Sequence, residues 1–322
     1  MPVQAIILFI IALVLLIKGG DWFVNGSVGI SKRLGVPELL IGATVVSIGT
    51  TLPEVMVSAT SAIEGHGQIA YGNAIGSIIC NTALISAVTI AIKPAATDRR
   101  VLEIPLIFFF SAAALFSVSA YLFREFSRII GIIFLLAFAV YITLSVRSAK
   151  TLAKGAETDE KEEIKGGLFS DILWLIIGAA LIAVGARLLV DNGTLIAAWL
   201  GVPESVIGLT FVALGTSLPE LVTAIAALTK GHGALSLGNI IGANLFNIVL
   251  VTGVSSTLSP FTLPDDKLLS GVPVSLCVDI PVMFGVMIIL TLPALIKGKL
   301  YRTQGIALLL IYASFCAFQF IF

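Results

Sequence analysis

The sequence predicts an all-α polytopic membrane protein with ten transmembrane helices, arranged as two inverted five-helix repeats in which helices 2 and 7 are broken at the midplane. Three observations predict this fold. The 322 residues are 58% hydrophobic and only 12% charged, with a mean hydropathy of +1.08, which excludes an ordinary soluble domain. Apolar runs of about 20 residues, enough to cross about 30 Å of hydrocarbon, separate the charged clusters. One motif occurs twice at a constant spacing.

The apolar runs give the elements in chain order. The ten predicted spans are 3–20, 37–63, 69–92, 103–122, 127–147, 169–189, 203–229, 235–258, 278–296 and 303–321. The first run lacks a basic start and a small-residue cleavage site, so it is predicted to be a retained span. A lysine- and glutamate-rich segment without apolar periodicity predicts a solvated linker. The chain thus divides into a first repeat (1–147), a charged linker (148–168) and a second repeat (169–322).

The distribution of lysine and arginine predicts the orientation of the spans. Of the 19 such residues, 15 lie in or beside the loops that follow spans 1, 3, 5, 7 and 9. Only Arg124, Arg128, Arg187 and Lys267 lie on the opposite side. The linker is therefore expected in the cytoplasm and both termini outside, in a cell (inner) membrane.

The two halves align without a gap. Residues 35–81, the first repeat motif, match residues 201–247, the second, at 21 of 47 positions and an offset of 166. The match contains "GTTLPE" and "GTSLPE", and then "GNAIGSIICN" and "GNIIGANLFN". Because five is odd, the second copy must enter the membrane from the opposite side. Inverted repeats are typical of secondary transporters whose sites lie near the midplane.

Two glutamates at equivalent positions carry the candidate chemistry. Glu54 and Glu220 are predicted to be the only acidic or basic side chains well inside a span. Such a charge costs at least about 2.5 kcal/mol to insert, so a matched pair indicates function more than a structural hydrogen bond between helices. Pro53 and Pro219 follow glycines and are expected to unwind both helices, which frees backbone carbonyls near Gly49 and Gly215.

Hydroxyls accompany the glutamates. Thr50 and Thr216 each precede a glutamate by four residues, which places hydroxyl and carboxylate on one helix face. Carbonyl, hydroxyl and carboxylate oxygens suit hard cations such as Ca²⁺ and Na⁺.

The third and eighth spans supply neutral side chains. Ser77 and Asn81 are also four residues apart, and their repeat equivalents are Ala243 and Asn247. The glycines of "GNAIG" and "GNIIG" are explained by close helix packing alone.

The charge of the pair indicates how the site would operate. One Ca²⁺ or two Na⁺ would neutralise two carboxylates, whereas an empty site would leave buried charges unpaired. Loaded forms should therefore cross the membrane more easily, which favours an exchanger over a leak.

The paired motifs resemble the two alpha repeats of the calcium/cation antiporter superfamily, specifically bacterial and archaeal sodium/calcium exchangers. The resemblance covers the whole chain apart from the linker. It implies Na⁺/Ca²⁺ exchange by alternating access, commonly three to one, with spans 1 and 6 sliding over the core. It also implies Glu54 and Glu220 as shared ligands of both ions, with Thr50 and Thr216.

Further ligands follow from the same resemblance. It implies Na⁺ ligands in the side chains of Thr51, Ser217 and Ser77 and in the backbone carbonyls of Ser47 and Ala213. It implies that Asn81 and its equivalent Asn247 line the site. Prokaryotic relatives often carry serine at position 243, and some relatives, including potassium-dependent ones, carry aspartate at position 247. Ala243 and Asn247 therefore leave the stoichiometry open and make coupling to K⁺ less expected.

Alternatives remain open on the sequence. A glutamate pair can also carry protons, so a Ca²⁺/H⁺ or other cation/proton antiporter of the same fold is the closest alternative. A passive channel would present rings of ligands around an axis, and an enzyme would need a nucleophile–base pair, which we do not find. We expect no cofactor, no nucleic acid and no protein partner. The expected partners are Ca²⁺ and Na⁺ as transported substrates and the lipid bilayer.

Overall fold

The computed structural model describes residues 3–94, 97, 99–155, 167–200, 215, 217–265 and 267–321. Within these residues the chain forms ten helices: α1 Val3–Leu34, α2 Glu38–Ile63, α3 Gly67–Ile92, α4 Arg99–Phe123, α5 Arg128–Gly155, α6 Leu168–Trp199, α7 Leu218–Thr229, α8 Gly233–Leu258, α9 Ser275–Lys297 and α10 Arg302–Ile321. Two short antiparallel pairs of strands are present: β1 Glu125–Phe126 pairs with the distant β2 Phe261–Thr262, and β3 Leu268–Leu269 forms a hairpin with β4 Val272–Pro273. Eight helices, all except α7 and α10, are long and apolar enough to cross a membrane. The all-α prediction with ten helices is confirmed.

Helices α1 and α6 are longer than the sequence predicted. Each has 32 residues, so α1 continues 14 residues beyond the predicted end at residue 20 and stops only at Gly35, which has a φ of 61°. Lys18 and Arg187, which the sequence places close to the ends of spans, therefore lie well inside these two helices. The physical reason is that polar side chains on an outer helix can reach water or a partner, so charges need not end the helix.

Burial separates central from peripheral helices. Within the membrane-spanning stretches, 89% of α8 and 72% of α3 are buried, against 22–28% of α1, α5 and α6. Helices α3 and α8 are therefore central, and the outer helices turn much of their apolar surface to lipid. α1 and α6 also pack against each other, with the rings of Trp22 and Trp174 4.9 Å apart.

The repeat is visible in the backbone of the central helices. α3 is α-helical over Gly67–Cys80, π-helical over Asn81–Ser86 and α-helical again over Ala87–Ile92. α8 repeats this order over Gly233–Phe246, Asn247–Thr252 and Gly253–Leu258. Every boundary is displaced by the sequence offset of 166, so the two copies share their local irregularity as well as their motif.

Helices 2 and 7 depart from regular geometry in different ways. The described part of helix 7 begins at Leu218 after a turn at Ser217, as expected for a break at "GTSLP". In α2, however, the expected unwinding near Gly49 does not occur, because Ser47–Ile63 is one α-helix that contains Pro53. The irregularity is instead a π-helical segment at Gly42–Val46. A proline removes one backbone donor, and packing between neighbouring helices tolerates that loss.

Close contact between α2 and α8 requires glycine. A Cβ added at Gly238 would lie 2.0 Å from the carbonyl oxygen of Leu39, and one at Gly242 would lie 2.2 Å from Oγ of Ser47. The predicted packing role is confirmed for these two "GNIIG" glycines but not for Gly72 and Gly76 of "GNAIG", where an added Cβ would meet no described atom within 4 Å. This contact sets the distance between the ligand-bearing faces of the two helices.

Candidate functional site

The two glutamates lie in the centre of the bundle, one from each repeat. Glu54 of α2 and Glu220 of α7 are both fully buried, and neither has an ion-pair partner among the described residues. The two carboxylates lie close enough to interact electrostatically. None of their four oxygen atoms has a hydrogen-bond partner in the described part of the chain. Because buried polar atoms are almost always satisfied, four carboxylate oxygens without a partner among the described residues indicate a place for a ligand.

Local structure explains the position of Glu220. It lies in the first turn of α7, directly after Pro219, which accepts a hydrogen bond from the hydroxyl of Thr223 at its carbonyl. The first turn of a helix carries unpaired backbone N–H groups and a partial positive charge, which favour a carboxylate. The break before Leu218 therefore helps to hold a buried negative charge.

The described hydroxyl groups among the predicted ligands are all buried. Thr50 lies beside Glu220, and its hydroxyl donates to Oδ1 of Asn239 at 3.2 Å. Oγ1 of Thr51 and Oγ of Ser217 are buried without a hydrogen-bond partner among the described residues. Ser77 of α3 is also buried. These side chains therefore offer buried hydroxyl oxygens on α2, on α3 and directly before α7.

The two predicted asparagines line the central helices. Asn81 and Asn247 are fully buried, and no atom of either amide has a hydrogen-bond partner in the described residues. Each begins the π-helical segment of its helix, at equivalent positions in the two repeats. Such segments occur frequently at functional sites because they turn a side chain out of the regular helical register.

The remaining predicted residues differ in how far the structure describes them. Ser47 is buried in α2, and its hydroxyl donates to the carbonyl oxygen of Gly42 at 2.7 Å. Ala243 is fully buried in α8. The predicted ligands Ala213 and Thr216 lie outside the described residues.

Sequence reasoning missed the two asparagines of the "GN" dipeptides. Asn239 accepts hydrogen bonds from Thr50 and, at 3.3 Å, from Ser47. Its repeat equivalent, Asn73, donates to the backbone carbonyl of Glu54 at 3.3 Å and to Ser58 at 2.8 Å. The signal was present, because Asn73 lies four and eight residues before Ser77 and Asn81, on the same helix face.

The side chains named above offer oxygen atoms as ligands, with one carboxyl group from each repeat. Two carboxylates, the four hydroxyls of Thr50, Thr51, Ser77 and Ser217, and the amide oxygens of asparagine are ligands that Ca²⁺ and Na⁺ accept. No group of three or more His, Cys, Asp or Glu side chains occurs in the described residues, so these residues do not form a zinc or copper type of site. A cavity of about 10 Å³ next to Thr50, Pro53 and Pro219 has room for about one water molecule.

Comparison with known proteins gives one consistent result. Residues 4–147 and 170–321 match the family model described as sodium/calcium exchanger protein. The chain is 31% identical to the sodium/calcium exchanger MaX1 of Methanosarcina acetivorans, over 98% of each protein. It is 34% identical to the putative antiporter CaxA of Alkalimonas amylolytica, again over 98% of each.

A solved structure supports the same relationship. The sodium-calcium exchanger NCX_Mj, soaked with 2.5 mM Na⁺ and 10 mM Sr²⁺, superposes with a TM-score of 0.84. The two chains are 33% identical, and the match covers 98% of this chain and 99% of the other. The similarity therefore extends over the whole fold as well as the repeated motifs.

Proposed function

The chain belongs to the sodium/calcium exchanger protein family, and from that premise we propose that it is a secondary antiporter that exchanges Na⁺ for Ca²⁺ across the cell membrane by alternating access. The observation that carries this proposal is the pair of buried carboxylates, Glu54 and Glu220, which come from inverted repeats and lack any described partner. Transport by relatives of this chain supports the choice of ions.

The charge of the pair explains why the ions would be exchanged. Two buried carboxylates without a counter-charge are costly in a low-dielectric interior, and one Ca²⁺ or two Na⁺ remove that cost. The site therefore changes sides most easily when it is loaded, and the two loads compete for the same oxygens. Because Ca²⁺ and Na⁺ compete for one site, and because the empty site does not readily change sides, the protein would exchange the two ions and not let either leak across.

Each ligand has a distinct expected role. Glu54 and Glu220 bind both ions, together with Thr50 and Thr216. Thr51, Ser217 and Ser77 complete Na⁺ subsites with the carbonyls of Ser47 and Ala213, while Asn81 and Asn247 line the centre. The burial and missing hydrogen-bond partners of Thr51, Ser217, Asn81 and Asn247 support these roles.

The second repeat offers one hydroxyl fewer than the first. Ala243 is buried where the equivalent residue of the first repeat is Ser77. A methyl group cannot coordinate Na⁺, so the Na⁺ subsite next to α8 is weaker than its counterpart next to α3. The number of Na⁺ ions exchanged for each Ca²⁺ is therefore expected to be the property in which this chain differs from serine-bearing relatives.

The decisive experiment is ⁴⁵Ca²⁺ uptake into proteoliposomes that contain the purified chain. We expect uptake to follow an outward Na⁺ gradient and to disappear when Na⁺ is replaced by an impermeant cation. Uptake that ignores Na⁺ but follows a pH gradient would make the protein a Ca²⁺/H⁺ antiporter. Uptake that needs no counter-ion would make it a channel.

Removing one carboxylate charge tests the site itself. Glu54→Gln or Glu220→Gln leaves a charge of −1, so each variant is expected to lower Na⁺-driven ⁴⁵Ca²⁺ uptake by at least about 100-fold, because a buried charged ligand is lost. Glu103→Gln is the matched control, since Glu103 is exposed and pairs only with Arg99 in the described residues. Transport within a few-fold of the unmodified protein by either site variant would reject the assignment.

A further inference from the structure

The inverted symmetry extends to the contact between α1 and α6. A Cβ added at Gly19 of α1 would lie 3.0 Å from the carbonyl oxygen of Gly178 of α6. A Cβ at Gly185 of α6 would lie 3.2 Å from the carbonyl oxygen of Ala12 of α1. Adding 166 to 19 gives 185, and subtracting 166 from 178 gives 12. The two contacts are therefore equivalent in the two repeats. We call the residue 166 positions away in the other repeat the image of a residue.

An ion pair joins α1 to the end of α7. Nζ of Lys230 lies 3.1 Å from Oδ1 of Asp21, and it donates to Oδ1 of Asn25 at 2.8 Å and to the backbone carbonyl of Asp21 at 3.0 Å. The side chains of Lys230 and Asp21 are 25% and 42% exposed, so the pair lies at an edge that water reaches. We call these three residues the α1–α7 bridge.

The symmetry-related residues carry the opposite charges. The image of Lys230 at the end of α2 is Glu64, and the images of Asp21 and Asn25 on α6 are Arg187 and Asp191. Here the corresponding bridge is not formed. Glu64 is exposed and has no side-chain partner among the described residues, and Arg187 instead pairs with Asp191 at 3.7 Å.

Apolar neighbours show the same difference between the two ends. Beside the α1–α7 bridge, a Cβ at Gly20 would lie 2.8 Å from the side chain of Val222 and 3.4 Å from Cβ of Ala226. The images of Val222 and Ala226 on α2 are Met56, which is 66% exposed, and Thr60, which is also exposed. The α1–α7 end is therefore closed, while the α2–α6 end is open.

We propose that the α1–α7 bridge and a second bridge between Glu64 and Arg187 form alternately, as the two gates of the transport cycle. This inference rests on the proposed alternating-access function. In an inverted-repeat transporter, the state that faces the opposite side of the membrane forms when each repeat adopts the conformation that the other repeat had before. The state opposite to this one then lacks the Lys230–Asp21 contact and has the Glu64–Arg187 contact.

Packing explains why the two bridges exclude each other. The glycine-lined contact and the ion pair between Arg33 and Asp171 join α1 and α6 into one body. A displacement that brings α6 onto the end of α2 therefore withdraws α1 from the end of α7. The Arg187–Asp191 ion pair is exposed and joins residues one helical turn apart, so breaking it costs little free energy.

Hydrogen–deuterium exchange of the full chain in nanodiscs, with Na⁺ present so that the two states can interconvert, tests the proposal without a measurement of transport. Lys230→Gln removes the bridge present here, so amides of 222–231 should exchange faster and those of 56–65 slower. Glu64→Gln removes the other bridge and should produce the reverse pattern. An exposed pair shifts the ratio of two states by about two- to five-fold, which is the size of change expected.

Controls separate charge pairing from general damage. Glu103→Gln removes an exposed ion pair outside both gates and should change neither segment. Combining Asp21→Lys with Lys230→Asp restores the pair with reversed polarity and should return the unmodified pattern. Shifts in the same direction for Lys230→Gln and Glu64→Gln, or no shift for either, would overturn the proposal. Absence of Na⁺-driven ⁴⁵Ca²⁺ uptake by the unmodified chain would reject the proposed function without altering this readout.

Discussion

At the scale of single residues, Asn239 links α2 and α8, two of the four helices that contribute to the candidate site. Its side-chain oxygen accepts from Thr50 and Ser47 of α2, while its own backbone belongs to α8. Thr50 in turn lies beside Glu220 of α7. Asn239 is thus a positioning residue, since it orients a proposed ligand without being placed among the ligands itself.

Asn239→Ala tests this positioning role. The variant frees the Thr50 hydroxyl, and the loss of two hydrogen bonds of about 0.5–1.5 kcal/mol each predicts a rise of about 5- to 150-fold in the Ca²⁺ concentration for half-maximal uptake, with ~30-fold as the centre. Maximal uptake should change less, because both carboxylates remain. The measurement is the Ca²⁺ dependence of Na⁺-driven uptake in proteoliposomes.

Asn244→Ala provides the matched control for that measurement. Asn244 is equally buried in α8, but it donates to Thr82 and Met287 and to neither carboxylate in the described residues. Its loss should lower stability without changing the apparent Ca²⁺ affinity. Equal affinity changes in both variants would mean that Asn239 acts only through packing.

The carboxylates were predictable from sequence, whereas Asn239 was not recognised. Glu54 and Glu220 are conspicuous because a charge is rare in an apolar span and a repeated charge is rarer still. Asn239 stands between glycines that packing explains, and an amide carries no comparable insertion penalty. Its spacing of four and eight residues before Ala243 and Asn247 places it on their helix face, but its contact with α2, across 189 residues of sequence, is visible only in the structure.

At the scale of helices, the contact of α2 with α8 holds Ser47 and Asn239 together. It depends on Gly238, where any side chain would meet the backbone of Leu39 rather than a flexible side chain. Backbone cannot rotate out of the way, so the helices would have to separate. Separation would pull the acceptor on α8 away from the hydroxyls on α2.

Gly238→Ala is therefore expected to destabilise the fold by about 1–3 kcal/mol, the usual cost of overpacking. It should also weaken Ca²⁺ binding, measured as the rise in thermal unfolding midpoint that Ca²⁺ produces in detergent. Gly285→Ala in α9 is the control, since no described atom lies within 4 Å of the added Cβ there. A Gly238→Ala protein with unchanged midpoint and unchanged Ca²⁺ effect would contradict this account.

Helix boundaries show where the sequence was insufficient at this scale. The central helices α3 and α8 agree with their predicted spans to within a few residues, because their polar ends coincide with glycine turns. α1 was predicted too short, since Lys18 and Asp21 end its apolar run although the helix continues. The π-helical segments were not predicted, as they follow from the fit of neighbouring helices and leave no signature in one chain.

At the scale of the whole molecule, two inverted copies with one offset occupy unequal conformations. The offset of 166 relates the motif, the π-helical segments and the contact of α1 with α6. The ends of α7 and α2 nevertheless differ in packing and in ion pairing. A two-state transporter requires two repeats that are similar in sequence but differ in conformation. When the repeats exchange their conformations, the site faces the opposite side of the membrane.

The direction in which these states face depends on the orientation of the chain. Fifteen of 19 lysines and arginines fall on the side of the linker, and short loops with such a bias remain in the cytoplasm. We therefore predict that alkaline phosphatase fused after residue 322 is active in a bacterial host and that a fluorescent protein fused there is dark. Insertions into the linker at 148–168 should give the reverse pair of results.

The same orientation decides which gate is closed in this structure. With the linker in the cytoplasm, the turn between α7 and α8 also faces the cytoplasm, so the closed α1–α7 end is the inner gate. The open α2–α6 end then faces outward, where Ca²⁺ or Na⁺ would enter. A fluorescent fusion that is bright after residue 322 would reverse this assignment, and the bridge of Lys230 with Asp21 would then close the outer gate.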